Sequence, residues 1–286
     1  MHMTENNERL VFAAVKYANA APLAHWLAEV DRRAAVTYCR PAESPSELSA
    51  GRADAAILPV AALLASSGLR MIDGIGICAD GRVESVLLKC RRPLAEVRLV
   101  EPDAASRTSN ALTAILLKEH LGLDAEVRPC VAGEQADAAV CIGDRALREP
   151  PAPAGDYDLA AMWKEMTDLP FVFAVWAYRE DSAEAETLAE IALASRAEGL
   201  RRIEQLAEIY AERLALSIGR MREYFRRSVR YELGPREREA MDLFARKMKA
   251  HGLIEKTRLL ADQRSLREGA ENAERLENSR RGLHRL

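Results

Sequence analysis

Cysteine and histidine are scarce in this chain, which has five of each among its 286 residues. The cysteines stand singly, without a Cys-x-x-Cys pair, and no two histidines have a His-x-x-x-His spacing. Zinc sites and redox-active disulfides depend on such clustered residues. We therefore expect no metal site and no disulfide, and we interpret four of the cysteines, which lie in or beside strand-like segments, as small buried apolar residues.

Long apolar segments are also missing. The N-terminus is polar, and the first apolar run, residues 10–15, is much shorter than a secretory or membrane-spanning segment. The formal net charge is −3, whereas a nucleic-acid-binding protein usually carries a basic excess. These features predict a cytoplasmic protein that binds neither membranes nor nucleic acids.

The motifs of nucleotide-dependent enzymes are absent as well. The sequence has no Gly-x-Gly-x-x-Gly segment and no phosphate-binding loop with its lysine. No histidine forms a recognisable motif with a serine or cysteine nucleophile. An enzyme built from this sequence is expected to need no cofactor and to work with few acid–base groups.

What the sequence does contain is a regular alternation of strand-like and helix-like segments. Buried strands are predicted at residues 10–17, 35–40, 54–60, 71–79, 83–90, 97–100, 125–130, 136–142 and 171–178. Strands that alternate with helices predict an α/β fold with mostly parallel sheets. After residue 182 the strand-like pattern ends and helical patterns dominate.

The alternation starts twice, which predicts two lobes at residues 10–88 and 89–177. Residues 178–254 are predicted to be mostly helical and to return to the first lobe, with the face of a homodimer as the alternative. Residues 255–286 are predicted to be a charged tail, either helical or disordered. Two α/β lobes form a cleft, and small ligands bind there, outside the carboxyl ends of the strands.

Polar residues stand at the ends of two strands in the first predicted lobe. Asn19 follows the first strand, where it either caps the next helix or offers its amide to a ligand hydroxyl or carboxylate. Ser85 begins a later strand, where it either bonds to the backbone or offers its hydroxyl to an anion between the lobes.

Two more polar segments belong to the second predicted lobe. A helix N-terminus carries unpaired N–H groups and a partial positive charge. Three hydroxyls and a guanidinium at the start of the predicted helix 106–121 therefore indicate an anion site, which consists of Ser106, Arg107, Thr108 and Ser109. Gly143 and Asp144 follow another strand; the glycine permits close approach of the backbone, and the aspartate can cap a helix or orient a partner.

These segments form an ordered set. They read YANAAPL at residues 17–23, LSAGRAD at 48–54, LPV at 58–60, VESV at 83–86, SRTS at 106–109, IGD at 142–144 and LPFVFAVW at 169–176. In this order they resemble the chorismate dehydratases of the futalosine route to menaquinone. The resemblance extends over roughly residues 11–253 and leaves the charged tail outside.

The resemblance implies a two-lobed fold of the type II periplasmic-binding-protein-like class, without export. It implies that chorismate, a small-molecule substrate, loses water to give 3-[(1-carboxyvinyl)oxy]benzoate without a cofactor or metal. Asn19 and Ser85 are the expected catalytic residues. The expected substrate-binding residues are Ser106, Arg107, Thr108, Ser109, Gly143 and Asp144.

Three alternatives remain open from the sequence. A non-catalytic solute-binding protein for small anions would share the fold. The related 1,4-dihydroxy-6-naphthoate synthase also shares it, and the resemblance implies that such an enzyme would use a histidine in the cleft. A regulator that senses a small molecule is the third alternative.

Overall fold

The computed structural model describes residues 9–255, which form two β-sheets covered by helices. The predicted charged tail lies outside these residues, apart from Glu255. The first sheet has the strand order β11-β4-β10-β3-β1-β2. Its strands are β1 Leu10–Ala14, β2 Ala34–Tyr38, β3 Ala55–Pro59, β4 Leu69–Ala79, β10 Phe171–Arg179 and β11 Arg230–Glu232.

The second sheet comes from the middle of the chain and has the order β7-β6-β8-β5-β9. Its strands are β5 Val86–Cys90, β6 Leu99–Glu101, β7 Glu126–Val127, β8 Ala138–Ile142 and β9 Asp156–Asp158. The chain crosses from the first sheet to the second through residues 80–85 and returns through residues 168–170. Each sheet and its helices make one lobe.

Both sheets are mixed, so the prediction of mostly parallel sheets is wrong. In the first sheet β1 is parallel to β2 and β3, whereas β10 is antiparallel to β3 and β4. In the second sheet β6 is parallel to β7 and β8, whereas β5 is antiparallel to β8 and β9. Strands β5 and β10, by which the chain enters a sheet from the other lobe, both run antiparallel to their neighbours, and the edge strand β11 is also antiparallel to β4.

The crossings also correct the position of two strands. The strand predicted at residues 171–178 was placed in the second lobe but lies in the first sheet, and β5 was placed largely in the first lobe but lies in the second. Both strands are apolar on both faces. Such a pattern indicates that the strand is buried on both faces, but it does not indicate to which sheet the strand belongs.

Helices cover both sheets, and those after residue 182 lie mainly on the first lobe. Helix α8 packs on α1, α2 and β4, and α11 packs on β10, α4 and α5. The helices are α1 Ala21–Ala24, α2 Leu27–Val30, α3 Ser44–Ser49, α4 Val60–Leu64, α5 Arg107–Ile115, α6 Gly143–Arg148, α7 Leu159–Thr167, α8 Ala185–Arg201, α9 Ile203–Leu214, α10 Ile218–Glu223 and α11 Pro235–Ala250. Within residues 9–255, every helix is too short or too polar to cross a lipid bilayer.

An aromatic cluster joins the lobes at the second crossing. The rings of Trp163 and Phe171 lie 5.3 Å apart, and that of Phe244 lies 5.9 Å from Trp163, all in edge-to-face contact. These three residues come from α7, β10 and α11, which belong to different parts of the chain. The indole N–H of Trp163 also donates to the carbonyl of Pro170, at 3.1 Å. Edge-to-face pairs stabilise a packed core, so this side of the interface is held firmly.

Candidate functional site

A cavity lies between the two sheets, at the carboxyl ends of β1, β3, β6 and β8. This edge is where small ligands bind in parallel α/β sheets. Its walls are mostly apolar, and the polar side chains in them are neutral. The lining residues are Val15, Tyr17, Asn19, Pro41, Ile57, Pro59, Ile77, Val86, Ser106, Thr108, Ser109, Ile142, Gly143, Phe173 and Ala174.

Asn19 reaches the cavity from a 3-10 turn at Ala18–Ala20 that directly follows β1. The short helix α1 after this turn has no side-chain cap, so the capping interpretation of Asn19 is wrong. Its Oδ1 atom is buried and has no hydrogen-bond partner among residues 9–255. A buried acceptor without a partner costs stability, and here it points to a ligand that donates a hydrogen bond.

The N-terminus of α5 forms the opposite wall. Ser106 caps the helix by accepting a hydrogen bond from the amide of Ser109, at 3.0 Å, and its hydroxyl donates to that of Ser109 at 2.8 Å. Thr108 accepts from the amide of Ala61 in the first lobe, at 3.1 Å. The first amides of the helix have no partner within the helix. Ser106, Thr108 and Ser109 line the cavity, so this part of the predicted anion-binding segment borders it.

Arg107 does not reach this cavity, which corrects one part of the predicted anion site. The residue is exposed and lines an outer groove with Asn110 and Met248. Successive residues of an α-helix are rotated by about 100°, so Ser106, Thr108 and Ser109 cannot share one face with Arg107. The side chain of Arg107 therefore lies outside the wall of this cavity.

Gly143 and Asp144 bring the second lobe against the turn that carries Asn19. Gly143 has φ +63°, and a Cβ atom there would lie 3.0 Å from the ring of Tyr17, which confirms the expected close approach. The Oδ1 atom of Asp144 accepts a hydrogen bond from the amide of Ala18 at 2.7 Å. Asp144 thus orients a partner across the cleft, and its side chain does not cap α6.

Ser85 lies directly behind the cavity wall. It is fully buried and is not itself a lining residue, but its neighbour Val86 is. Its carbonyl accepts from the amide of Gly143 at 2.7 Å, and its hydroxyl accepts from the hydroxyl of Tyr224 at 2.8 Å. Ser85 is therefore linked to two residues that line the cavity, Val86 through the chain and Gly143 through a hydrogen bond.

The cavity wall carries no charged side chain among the described residues. Burial raises the pKa of the Tyr17 phenol, and the nearby carboxylates of Asp103 and Asp144 raise it further. The phenol therefore stays protonated at neutral pH and can donate a hydrogen bond into the cavity. An anion bound here would be held by neutral N–H and O–H donors.

The three described histidines lie away from the cavity. His25 is exposed and packs against Trp26, with ring centroids 4.6 Å apart. His120 is 3.5 Å from Glu165, and His251 is 2.9 Å from Glu119. These positions do not provide the cleft histidine that the naphthoate synthase alternative requires.

Comparison with known proteins identifies the family. A family model described as menaquinone biosynthesis matches residues 10–250. The chain belongs to this menaquinone biosynthesis family. A chorismate dehydratase from Thermus thermophilus is 30% identical over 257 residues, covering 82% of this chain and 93% of the relative. A chorismate dehydratase from Campylobacter jejuni is 28% identical over 252 residues, covering 85% of this chain and 100% of the relative.

The fold of this menaquinone biosynthesis family member is also confirmed. The periplasmic aliphatic sulphonate binding protein SsuA from Escherichia coli superimposes with a TM-score of 0.62 at 15% identity. The match covers 89% of this chain and 96% of that protein. The predicted periplasmic-binding-protein-like architecture is therefore correct.

Two tyrosines of this family member were missed as site residues by the sequence analysis. Tyr17 lines the cavity, and its position beside Asn19 in the first motif was a local signal that could have found it. Tyr224 contacts Ser85 from a position 139 residues away. It lies within a helical pattern, so its sequence context gives no such signal.

Proposed function

We propose that this chain dehydrates chorismate to 3-[(1-carboxyvinyl)oxy]benzoate, as a lyase of the futalosine route to menaquinone. The observation that carries the proposal is the single cavity in which Asn19 faces the N-terminus of α5. It occurs in a chain that is 30% identical to a chorismate dehydratase over most of its length. The predicted site residues Asn19, Ser106, Thr108, Ser109 and Gly143 all contribute to this cavity.

The reaction needs few acid–base groups. The ring carbon that bears the enolpyruvyl ether loses a proton, the electrons of that C–H bond form a ring double bond, and the neighbouring hydroxyl leaves. The proton and hydroxyl together make water, and the ring becomes aromatic. No redox change occurs, and aromatisation drives the reaction. Orientation of the substrate and stabilisation of developing charge are then the main tasks of the protein.

The N-terminus of α5 suits one of the two chorismate carboxylates. The helix offers unpaired amides together with the Ser109 hydroxyl. The Tyr17 phenol provides a further donor from the other lobe. Neutral donors that are fixed in a mostly apolar cavity stabilise charge more strongly than water-exposed donors do.

The side-chain oxygen of Asn19 can accept a hydrogen bond from the substrate hydroxyl that leaves. Its buried Oδ1 atom has no partner in the described part of the chain, and a hydroxyl is a donor that would satisfy it. Ser85, which lies directly behind the cavity wall next to Val86, is the second proposed residue, and its hydroxyl is proposed to reach the reacting face once the substrate is bound. The base can be the enolpyruvyl carboxylate of the substrate itself, because the wall carries no charged side chain in the described region.

Hydrogen bonds across the cleft favour a closed site. The amide of Ala18 donates to Asp144, and the amide of Ala61 donates to Thr108, so each bond joins the two lobes. A closed site excludes water and strengthens the electrostatic interactions inside it. Substrate entry would require these two bonds to open.

The experiment is incubation of the purified protein with chorismate, followed by mass spectrometry of the products. The proposal expects a product lighter than chorismate by one water. A protein that binds chorismate and returns it unchanged would be a solute-binding protein, and the proposal would be wrong.

A pair of serine variants tests the anion site. Ser106 and Ser217 both cap helices, and each accepts a hydrogen bond from the amide three residues later. Replacement of either by alanine should cost about 0.5–2 kcal/mol of stability. Only Ser106→Ala should also raise the KM for chorismate, since Ser217 caps α10 and does not line the cavity. Equal KM values for the two variants would contradict the proposed anion site.

The other sequence predictions about the intact protein stay predictions. The cytoplasmic location is measured by cell fractionation. The homodimer alternative is tested by measuring the mass of the purified chain in solution by sedimentation.

A further inference from the structure

Ser85 is held from behind by a residue of the C-terminal helical part. The hydroxyl of Tyr224 lies 2.8 Å from that of Ser85, and both side chains are almost completely buried. In this contact the Tyr224 hydroxyl is the donor and the Ser85 hydroxyl the acceptor. The hydrogen of the Ser85 hydroxyl then points away from Tyr224 and remains available for another acceptor.

Tyr224 owes its position to a local change in the helix. Helix α10 ends at Glu223 and continues as a π-helical turn, Tyr224–Ser228. Short π-helical turns in α-helices occur frequently at functional sites. This turn places both of its terminal side chains, Tyr224 and Ser228, against the first crossing between the lobes.

The residue before Ser85 is fixed by the same segment. Glu84 has φ +64°, a left-handed conformation that side chains other than glycine rarely adopt. Its carboxylate accepts a hydrogen bond from Ser228 and pairs with Arg220, and its amide donates to Asp158 at 2.6 Å. A strained residue that several contacts hold in place is typical of a functional site.

We infer that Tyr224 positions the hydroxyl of Ser85 for the reaction, so that the π-helical turn is part of the machinery of the cleft. The inference rests on the proposed function, in which Ser85 acts at the reacting face. Tyr224 is a positioning residue because its hydroxyl contacts Ser85 and it acts on the substrate only through that residue.

The test is a double-mutant cycle on chorismate turnover. Tyr224→Phe keeps the ring and removes only the hydroxyl, so we expect kcat to fall on the order of tenfold, the effect of one lost hydrogen bond. KM should stay within about twofold if substrate binding is unchanged. In a Ser85→Ala background the same change should have no further effect, since the hydroxyl that it orients is already absent.

Tyr231→Phe is the matched control. Tyr231 is also buried, and its hydroxyl has no hydrogen-bond partner among the described residues. Its removal should leave turnover unchanged, which separates the role of Tyr224 from a general need for buried phenols.

The outcomes separate this inference from the proposed function. A wild-type protein that does not convert chorismate overturns both. With an active wild type, the positioning role alone is overturned if Tyr224→Phe turns over at the wild-type rate or if the effects of the two changes on kcat are additive. A Ser85→Ala variant that turns over at the wild-type rate overturns the positioning role together with the proposed role of Ser85. A loss in Tyr224→Phe that disappears in the Ser85→Ala background supports it.

Discussion

Removal of the Asn19 side chain should make the protein more stable and less active. The Oδ1 atom of Asn19 is buried and has no hydrogen-bond partner in the described part of the structure. An unsatisfied buried polar group costs about 1–3 kcal/mol, and Asn19→Ala removes that cost. The variant should therefore have a larger free energy of unfolding and a melting temperature that is higher by about 2 °C or more.

Asn110 provides the matched control. Its Oδ1 accepts from the amide of Asp103, and its Nδ2 donates to the carbonyl of the same residue, both at 2.9 Å. Asn110→Ala loses both bonds and should lower the free energy of unfolding by about 1–3 kcal/mol. Urea denaturation of the two variants should therefore give shifts of opposite sign.

The activity of Asn19→Ala completes the test. Loss of a polar group that acts on the reacting atoms lowers kcat by about 10²-fold or more. A stabilised but inactive variant is expected where a site sacrifices stability for function. The reasoning would be refuted if Asn19→Ala were destabilised as much as Asn110→Ala, or if it were stabilised and kept full turnover.

Three further variants test other parts of the structure. Gly199→Ala should lower the free energy of unfolding by about 3 kcal/mol or more, because a Cβ atom there would lie 2.0 Å from a backbone oxygen of α1. Gly219→Ala is the control: Gly219 lies in a helix with open space around it, so this change should raise the free energy of unfolding by about 0.5–1 kcal/mol. Gly143→Ala should lower kcat/KM at least tenfold because it displaces the tyrosine ring that lines the cavity, whereas Gly51→Ala has a similar positive φ but open space and should keep wild-type kinetics. Burial raises the pKa of Asp144 above 3.8, so the ionised carboxylate opposes folding at neutral pH. In urea denaturation at pH 7, Asp144→Asn should therefore have a larger free energy of unfolding than the wild type. This difference should disappear as the pH falls through the raised pKa and below 3.8, because the wild-type carboxyl is then protonated in both states.

Local sequence was sufficient to predict those parts of the site whose geometry depends on a single helix or turn. The segment Ser106–Ser109 was predicted to open a helix, and the structure shows that helix N-terminus in the cavity wall. Gly143 was predicted to permit a close approach, and the ring of Tyr17 provides it. In both cases a short-range rule of backbone geometry decides the outcome.

Local sequence failed where the position of a side chain depends on distant segments. The capping interpretation of Asn19 assumed that a helix begins directly after it, but the chain forms a 3-10 turn and two short helices there. Arg107 was included because it stands among three hydroxyls, although the helical rotation turns it to the outer face.

Strand direction was a second limit of the sequence analysis. An apolar strand such as β10 has the same pattern in either direction and in either sheet. Its antiparallel pairing with β3 and β4 follows from the point at which the chain returns from the second lobe. That information lies in the connections and is absent from the periodicity of the strand.

The most direct test of the central claim is proton NMR of chorismate in the presence of the purified wild-type chain. The account predicts that the signals of the dihydro ring are replaced by those of an aromatic ring, while the enolpyruvyl signals persist. A spectrum in which the dihydro-ring signals remain unchanged after prolonged incubation with folded protein would contradict it.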